Sequence, residues 1–325
     1  MKNNQTKFAG VALAALLASV GLSPSANAQL VLTYETTTSG HAIGESFNAS
    51  GGEFVIKLFN FDMGTTYGSL GPVGTSVTGE GAVNGLAQTG ATGAIGAEDS
   101  WGIAKVEGIF DSFGGRIWSE TGKGQELTIM FYGARDFFVE QTSVGSQEIG
   151  SVGMHIDLYL QTIGGPGYTA YNPLLGSSGR GGLSSYSTVT DGTLILSTVS
   201  TPGFIFAPGT FGGAATEFRS NFNAGSGGLG ETYLDVTGGS MATSFDTNGV
   251  SSVFNSGADL FAQFTTAIYR DNPASATDNW LVSSQDPVTG NLAAVPEPST
   301  YGLVAAGALF GLVALRRMKK RASAV

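Results

Sequence analysis

Acidic residues set beside aromatic ones are the part of this sequence nearest to chemistry. Glu98 and Asp99 precede Trp101, Glu107 stands four residues before Asp111, and Asp271 and Asp278 lead up to Trp280. Hydrolysis of a glycosidic bond needs two carboxylates flanking the scissile bond, one to give a proton and one to act as base or nucleophile. Neighbouring indoles would stack on sugar rings. An acidic, aromatic-containing β protein also produces such neighbours without any catalytic role, and the expectation is that these acids are not catalytic.

Other chemistries find fewer residues to work with. The five-residue GxSxG turn of a serine hydrolase does not occur, so no strained elbow presents a serine. There are two histidines, His41 and His155, and no cysteine. A triad through either histidine depends on geometry that spacing does not reveal, and two distant imidazoles without thiols are too few for a zinc site. No disulfide or cysteine nucleophile is available. Gly225, Gly227 and Gly230 fit GxGxxG, but a dinucleotide loop needs a buried strand before it and a helix after it. Here the flanks are polar NFNA and strand-like ETYLDV, which reads as a hairpin loop. Asp246-Thr247-Asn248-Gly249 resembles the opening of a calcium loop. The twelfth position, where a bidentate acid belongs, is Gly257, and a plain turn is the expectation. No cofactor and no metal is called for.

The elements that must carry these residues read as β. Glycine is 50 of 325 residues and charged residues only 12%, so the chain turns often, while 20 Phe, 10 Tyr and 3 Trp supply a core. Strand-like segments bounded by turn residues appear at 29–37, 53–61, 98–113 (where the apolar spacing lies between the strand and helix patterns and is read as strand), 126–132, 137–141 and 153–161. The last is the clearest, with Met154, Ile156, Leu158 and Leu160 on one face and His155, Asp157 and Tyr159 on the other. Further strands are expected at 192–199, 203–206, 232–237, 240–245, 249–255, 260–269 and 280–282. Residues 64–96, poor in large side chains, read as loops or short, weakly specified strands. The stretch 164–187, dense in Gly, Pro and Ser, reads as a long surface loop or an internal boundary. With no repeat of fixed period, the expected fold is all-β, an antiparallel β-sandwich of jelly-roll type, with a parallel β-helix as the alternative.

Both chain ends carry addresses. Lys2 and Lys7 give a positive start, Phe8 to Leu22 an apolar stretch, and Ala26-Asn27-Ala28 a small-x-small site, together the pattern of a secretory signal peptide cut after Ala28. At the other end Val295, Pro296, Glu297 and Pro298 form a stiff lead-in, since each proline fixes its φ and biases the residue before it. Ser299 or Thr300 can cap a helix over Tyr301–Leu315, which holds no charge, and Arg316, Arg317, Lys319, Lys320 and Arg321 follow at once. Those 15 uncharged residues rise to about 22 Å, a minimal transmembrane span that relies on snorkelling basic side chains and local thinning. The basic cluster would stay cytoplasmic. Gly307 and Gly311 make a GxxxG pair that would admit a neighbouring helix, or simply belong to a small-residue-rich span.

A Pro-Glu-Pro triplet, an uncharged helix and an arginine-rich end, in that order at the C-terminus, resemble the PEP-CTERM sorting signal of Gram-negative bacteria. The resemblance implies that an exosortase-like membrane enzyme recognises Pro296, Glu297 and Pro298, cuts nearby, and releases the body toward the cell surface or an exopolysaccharide matrix. An ordinary tail anchor, which needs no such triplet, is the competing view. EDSWG, the MFYG strand and DNWLVSSQDPV also resemble segments of exported proteins of this sorted class that have no assigned activity, some of them associated with flocculation.

The expected organisation is then a signal peptide over 1–28, a β-rich extracytoplasmic body over 29–287, a linker over 288–294, and the sorting signal over 295–321 with its transmembrane helix at 301–315. Seven of the 15 basic residues and one of the 25 acidic residues lie in the two signals, which leaves 8 against 24 in the body, near −16. Such a surface repels nucleic acid. Expected partners are signal peptidase, an exosortase-like enzyme, the membrane before processing, and exopolysaccharide, but no nucleic acid. The expected function is that of an exported, non-catalytic surface or matrix protein of structural or adhesive kind, biofilm or flocculation related; a secreted carbohydrate-active enzyme or carbohydrate-binding module is the alternative.

Overall fold

A computed structural model describes residues 35, 37, 42, 53–63, 65–67, 73–78, 88–90, 98–111, 113–120, 124–205, 215–223, 227–252, 257–266, 280, 282–284 and 287–292. The signal segment 1–28, the sorting segment 295–321, His41, Asp271 and Asp278 lie outside them. In chain order the strands are β1 (Glu53–Met63), β2 (Thr65–Tyr67), β3 (Ser76–Thr78), β4 (Gln88–Gly90), β5 (Ser100–Asp111), β6 (Arg116–Ser119), β7 (Gln125–Ser143), β8 (Ser146–Val152) and β9 (His155–Thr162). After a short 3-10 turn at Pro173–Gly179 come β10 (Arg180–Gly182), β11 (Ser185–Tyr186), β12 (Thr193–Thr201), β13 (Phe204–Ile205), β14 (Ala215–Thr216), β15 (Phe218–Asn223) and β16 (Gly227–Gly238). A one-turn helix at Ala242–Phe245 precedes β17 (Leu260–Thr266), β18 (Val282–Ser284) and β19 (Pro287–Leu292).

The fold is all-β, and the strand pairings among the described residues are antiparallel, unlike the parallel rungs of a β-helix. The main sheet is continuous and closes on itself. β7 pairs with β9, β9 with β12, β12 with β16, β16 with β17, β17 with β19, β19 with β1, β1 with β5, and β5 with β7 again. β7 and β16 make this possible by being long enough to change neighbours along one edge. The first half of β7 pairs with β9 and its second half with β8, while β16 passes from β15 to β12.

The change of partner on β7 falls at Gly133, where φ is +79° and a Cβ would lie 2.9 Å from the Gly153 carbonyl oxygen. Only glycine fits there, because the left-handed region penalises a Cβ and the opposing strand leaves no room for one. The ladder is interrupted at this seam, and side chains take up the freed donors. Glu98 Oε2 accepts the Gly133 N–H at 2.8 Å, and Glu217 Oε2 accepts the Gly153 N–H at 2.7 Å. Ser200 Oγ donates to the same Glu217 oxygen at 2.9 Å.

One face of the β5, β7, β9 and β12 region is apolar, with Ala104, Leu127, Ile129, Leu158 and Leu196 in matching rows beside Leu234 and Leu260. The other face carries Trp101, Ile103, Met130, Tyr132, Asp157 and Tyr159, and it is buried as well. Residues 164–190 lie across it: Tyr186 and Val189 join Trp101, Ile103, Met130, Tyr132, Tyr159 and Trp280 in one core cluster, with Tyr171 and Leu175 packed against it.

Several expectations change here. The stretch 164–187 is neither a loose surface loop nor a boundary but a strap over the sheet. The strands expected at 126–132 and 137–141 are a single bent strand. Residues 240–245 hold a helical turn rather than a strand. Residues 288–292, expected within a linker, form most of β19, whose Val288 faces Ile56 of β1 on one side and Phe264 of β17 on the other. That position between two strands satisfies backbone groups on both edges, which a solvated linker would leave to water.

Candidate functional site

Of the acids and aromatics singled out in the sequence, Glu98, Asp99, Trp101 and Trp280 come together under the strap. Glu98 and Asp99 enter β5 just ahead of Trp101. Trp101 is fully buried, 5.2 Å from the ring of Trp280, and the Arg180 guanidinium sits 4.3 Å over its face. Arg180 also forms a salt bridge with Glu98 in which both side chains are only 1% exposed. Asp99 is spent on the backbone, its Oδ2 accepting the Asp136 N–H at 2.7 Å. Trp280 donates its indole N–H to the Pro173 carbonyl at 2.8 Å, tying the strap down from the other side.

A second cluster lies further along the same face. Asp157, 4% exposed, accepts Tyr132 Oη at 3.1 Å, Tyr159 Oη at 3.4 Å and Ser197 Oγ at 2.6 Å. His155 stacks flat on Tyr132, with ring centroids 5.1 Å apart. Ser197 therefore meets Asp157 directly, with no imidazole between them, and this is not the relay of a hydrolase triad. Burial, and next the Asp157 charge, push the Tyr159 phenol up to about 12, and the same two causes raise that of Tyr132.

Lys105 bridges Glu120 at 2.7 Å and Glu126 at 3.3 Å. Burial lowers its pKa, but the two carboxylates outweigh that and hold it above the ordinary lysine value. Glu126 further accepts the Tyr171 N–H of the strap at 3.2 Å.

The remaining candidates among the described residues lie apart from these clusters. Glu107 is exposed, whereas Asp111 caps the β5–β6 turn, its Oδ1 accepting the Phe113 and Gly115 N–H groups at 2.9 and 2.6 Å. Gly227, Gly228 and Gly230 of the GxGxxG match lie in β16, hairpin partner of β15, so a strand rather than a phosphate-facing helix follows the glycines. The Asp246–Gly249 turn is organised by Asp259, whose Oδ1 accepts the Thr247 and Asn248 N–H groups at 2.7 and 2.6 Å. Among the described residues no group of three or more His, Asp or Glu is placed to hold a metal ion.

The hydrogen bonds of Glu98, Asp99 and Glu126 run largely to the backbone and to the strap. The carboxylates of Glu98, Asp99 and Asp157 are buried and filled by hydrogen bonds, and those of Glu98 and Glu126 anchor the strap. Arg180, Asp157 and Tyr186 were not marked as partners by the sequence. Their signals were an isolated arginine in a Gly-rich stretch and the polar face of the clearest strand.

Comparison with known proteins decides the other candidate, the C-terminal address. Residues 294–319 match the family model described as the PEP-CTERM protein-sorting motif. The chain carries a PEP-CTERM motif. The match spans the triplet Pro296, Glu297 and Pro298, the uncharged stretch 301–315, and the basic residues Arg316, Arg317 and Lys319. No curated protein and no solved structure matches the chain. The PEP-CTERM motif marks an exported protein sorted by exosortase, a membrane enzyme, to the cell surface.

Proposed function

We propose that this is a non-catalytic surface or matrix protein of structural or adhesive kind, delivered by its PEP-CTERM motif and acting through an acidic β body that makes many weak contacts with exopolysaccharide or neighbouring cells. The observation that carries the reading is the fate of the acids that would have formed a sugar-cleaving pair. Glu98 and Asp99 are locked to β7 and Arg180 beneath the strap, which supports assigning them to the fold. The body's charge near −16 suits solubility outside the cell and repulsion from nucleic acid. We read the bent, self-closing sheet as a sandwich-like body of jelly-roll type, because strands at sandwich corners turn from one set of neighbours to another as β7 and β16 do.

In this reading signal peptidase cuts after Ala28, the uncharged stretch 301–315 holds the chain in the inner membrane with Arg316–Arg321 inside, and exosortase cuts near Pro296–Pro298. The test is fractionation of cells producing the natural chain or a variant with Pro296, Glu297 and Pro298 all changed to Ala, followed by incubation of the surface form with exopolysaccharide. The natural chain is expected in the surface fraction, co-sedimenting with the polysaccharide and leaving its length unchanged, while the variant stays in the inner membrane. Release of new reducing ends by the surface form would refute the non-catalytic reading.

A further inference from the structure

We propose that the end of the body formed by the β5–β6 turn and the exit of β19 is a membrane-contacting surface, with Phe113 as its apolar anchor, for as long as the uncut tail holds the chain. The proposal rests on the reading of 301–315 as a membrane span.

Chain length limits how far the body can stand from the membrane. β19 ends at Leu292 and the PEP-CTERM match begins at residue 294. Eight residues, 293–300, lie between Leu292 and Tyr301, so the tether reaches at most about 30 Å. β19 cannot pay out more chain without losing its pairing to both β1 and β17. The body is thus held close to the bilayer by the end from which β19 leaves.

Register identifies what else lies at that end. Phe54 of β1 pairs with Gly290 on one side and with Asp111 on the other. The β5–β6 turn is therefore level with the β19 exit and two strand spacings, about 10 Å, away from it. The tip of that turn is Phe113, 76% exposed. Asp111 holds the turn rigid: besides the two N–H groups on its Oδ1, its backbone N–H donates to the Gly115 carbonyl at 2.8 Å and its carbonyl accepts the Gly114 N–H at 3.0 Å. A large apolar ring on a stiff polar turn, left largely exposed by the described residues, suits insertion at a lipid interface.

Charge defines the kind of contact. A body near −16 gains nothing from anionic headgroups, so the contact is apolar and serves any bilayer. One ring binds a membrane weakly on its own. Tethering makes the encounter intramolecular, and the high effective concentration lets a weak contact fix orientation.

The chain has no cysteine, which permits site-specific labelling of the full-length protein. Single cysteines would be placed by Ser112→Cys beside Phe113, and by Thr142→Cys near the opposite, β7–β8 end of the long strand. Each would carry an environment-sensitive fluorophore in phosphatidylcholine vesicles containing a lipid-borne quencher. The expected result is quenching at 112 roughly threefold or more above that at 142, falling to the level of 142 when Phe113→Ser is added and recovering with Phe113→Trp. Equal quenching at both positions, or no response to Phe113→Ser, overturns the proposal. Flotation of the same vesicles reads the span separately. Protein that floats with residue 112 unquenched overturns only the orientation, whereas protein that does not float overturns the span and the orientation together.

Discussion

Arg180 reaches across from the strap to Glu98 and lies on the Trp101 ring, so one side chain satisfies a buried carboxylate and covers a buried indole. Removing one member of a buried pair strands the other charge, which typically costs about 3 to 5 kcal/mol. Arg180→Met is expected to lower unfolding stability by that amount in urea titrations, and Arg180→Met with Glu98→Leu to recover part of it. A single-variant loss below about 1 kcal/mol would mean the pair is solvated and the strap loosely held. The tyrosines over Asp157 give a second test. Their folded phenols ionise above the unfolded value near 10, so what they contribute to stability is intact below about pH 10 and lost as pH rises toward about 12. Asp157→Asn removes the charge that opposes ionisation and should bring both phenolate transitions to lower pH in an ultraviolet titration. Unmoved transitions would show that burial alone holds the protons on.

Gly133 and β19 decide how the elements are joined. Gly133→Ala forces a Cβ against the Gly153 carbonyl at a left-handed φ, and a loss of about 1 to 3 kcal/mol is expected in thermal unfolding. β19 is flanked by β1 and β17, so a chain ending at Asp286 exposes two long edges and should aggregate. A chain ending at Leu292 should remain soluble and folded; equal behaviour of the two would contradict the placement of β19. Period-two alternation made β1, β9, β12 and β17 legible, because each shows its two faces within a few residues, whereas the spacing in β5 fitted a strand and a helix alike. Alternation does not say which face is covered. Asp157 and Tyr159 share the face of β9 opposite Ile156 and Leu158, and only the Gly- and Ser-rich strap, which has no periodicity of its own, covers them. Nor does it distinguish Pro287–Leu292, polar and glycine-containing, from a linker, since pairing on both edges is a long-range fact. Glu98 and Asp99 were visible as acids beside Trp101. Their task was not, because the Gly133 seam and Arg180 lie 35 and 82 residues away from Glu98.

At the scale of the whole molecule, the sequence divides sharply into addresses and body. Seven of the 15 basic residues sit in the two terminal stretches 1–28 and 295–321, and the part between them is acidic and free of thiols, its described residues joined by sheet hydrogen bonds and aromatic packing. The C-terminal address was legible through its resemblance to the PEP-CTERM signal, whose parts, a stiff Pro-Glu-Pro lead-in, an uncharged stretch and a basic stop, are local features. Its closeness to β19 is not local, and in the proposed reading a cut near Pro296–Pro298 falls within a few residues of the folded sheet. The central claim, that both ends are removed on the way to the surface, is tested most directly by intact mass spectrometry of the surface-released protein. The account predicts a chain that begins at Gln29 and ends near Pro296–Pro298, without Arg316–Arg321; a surface form that retains the basic cluster would contradict it.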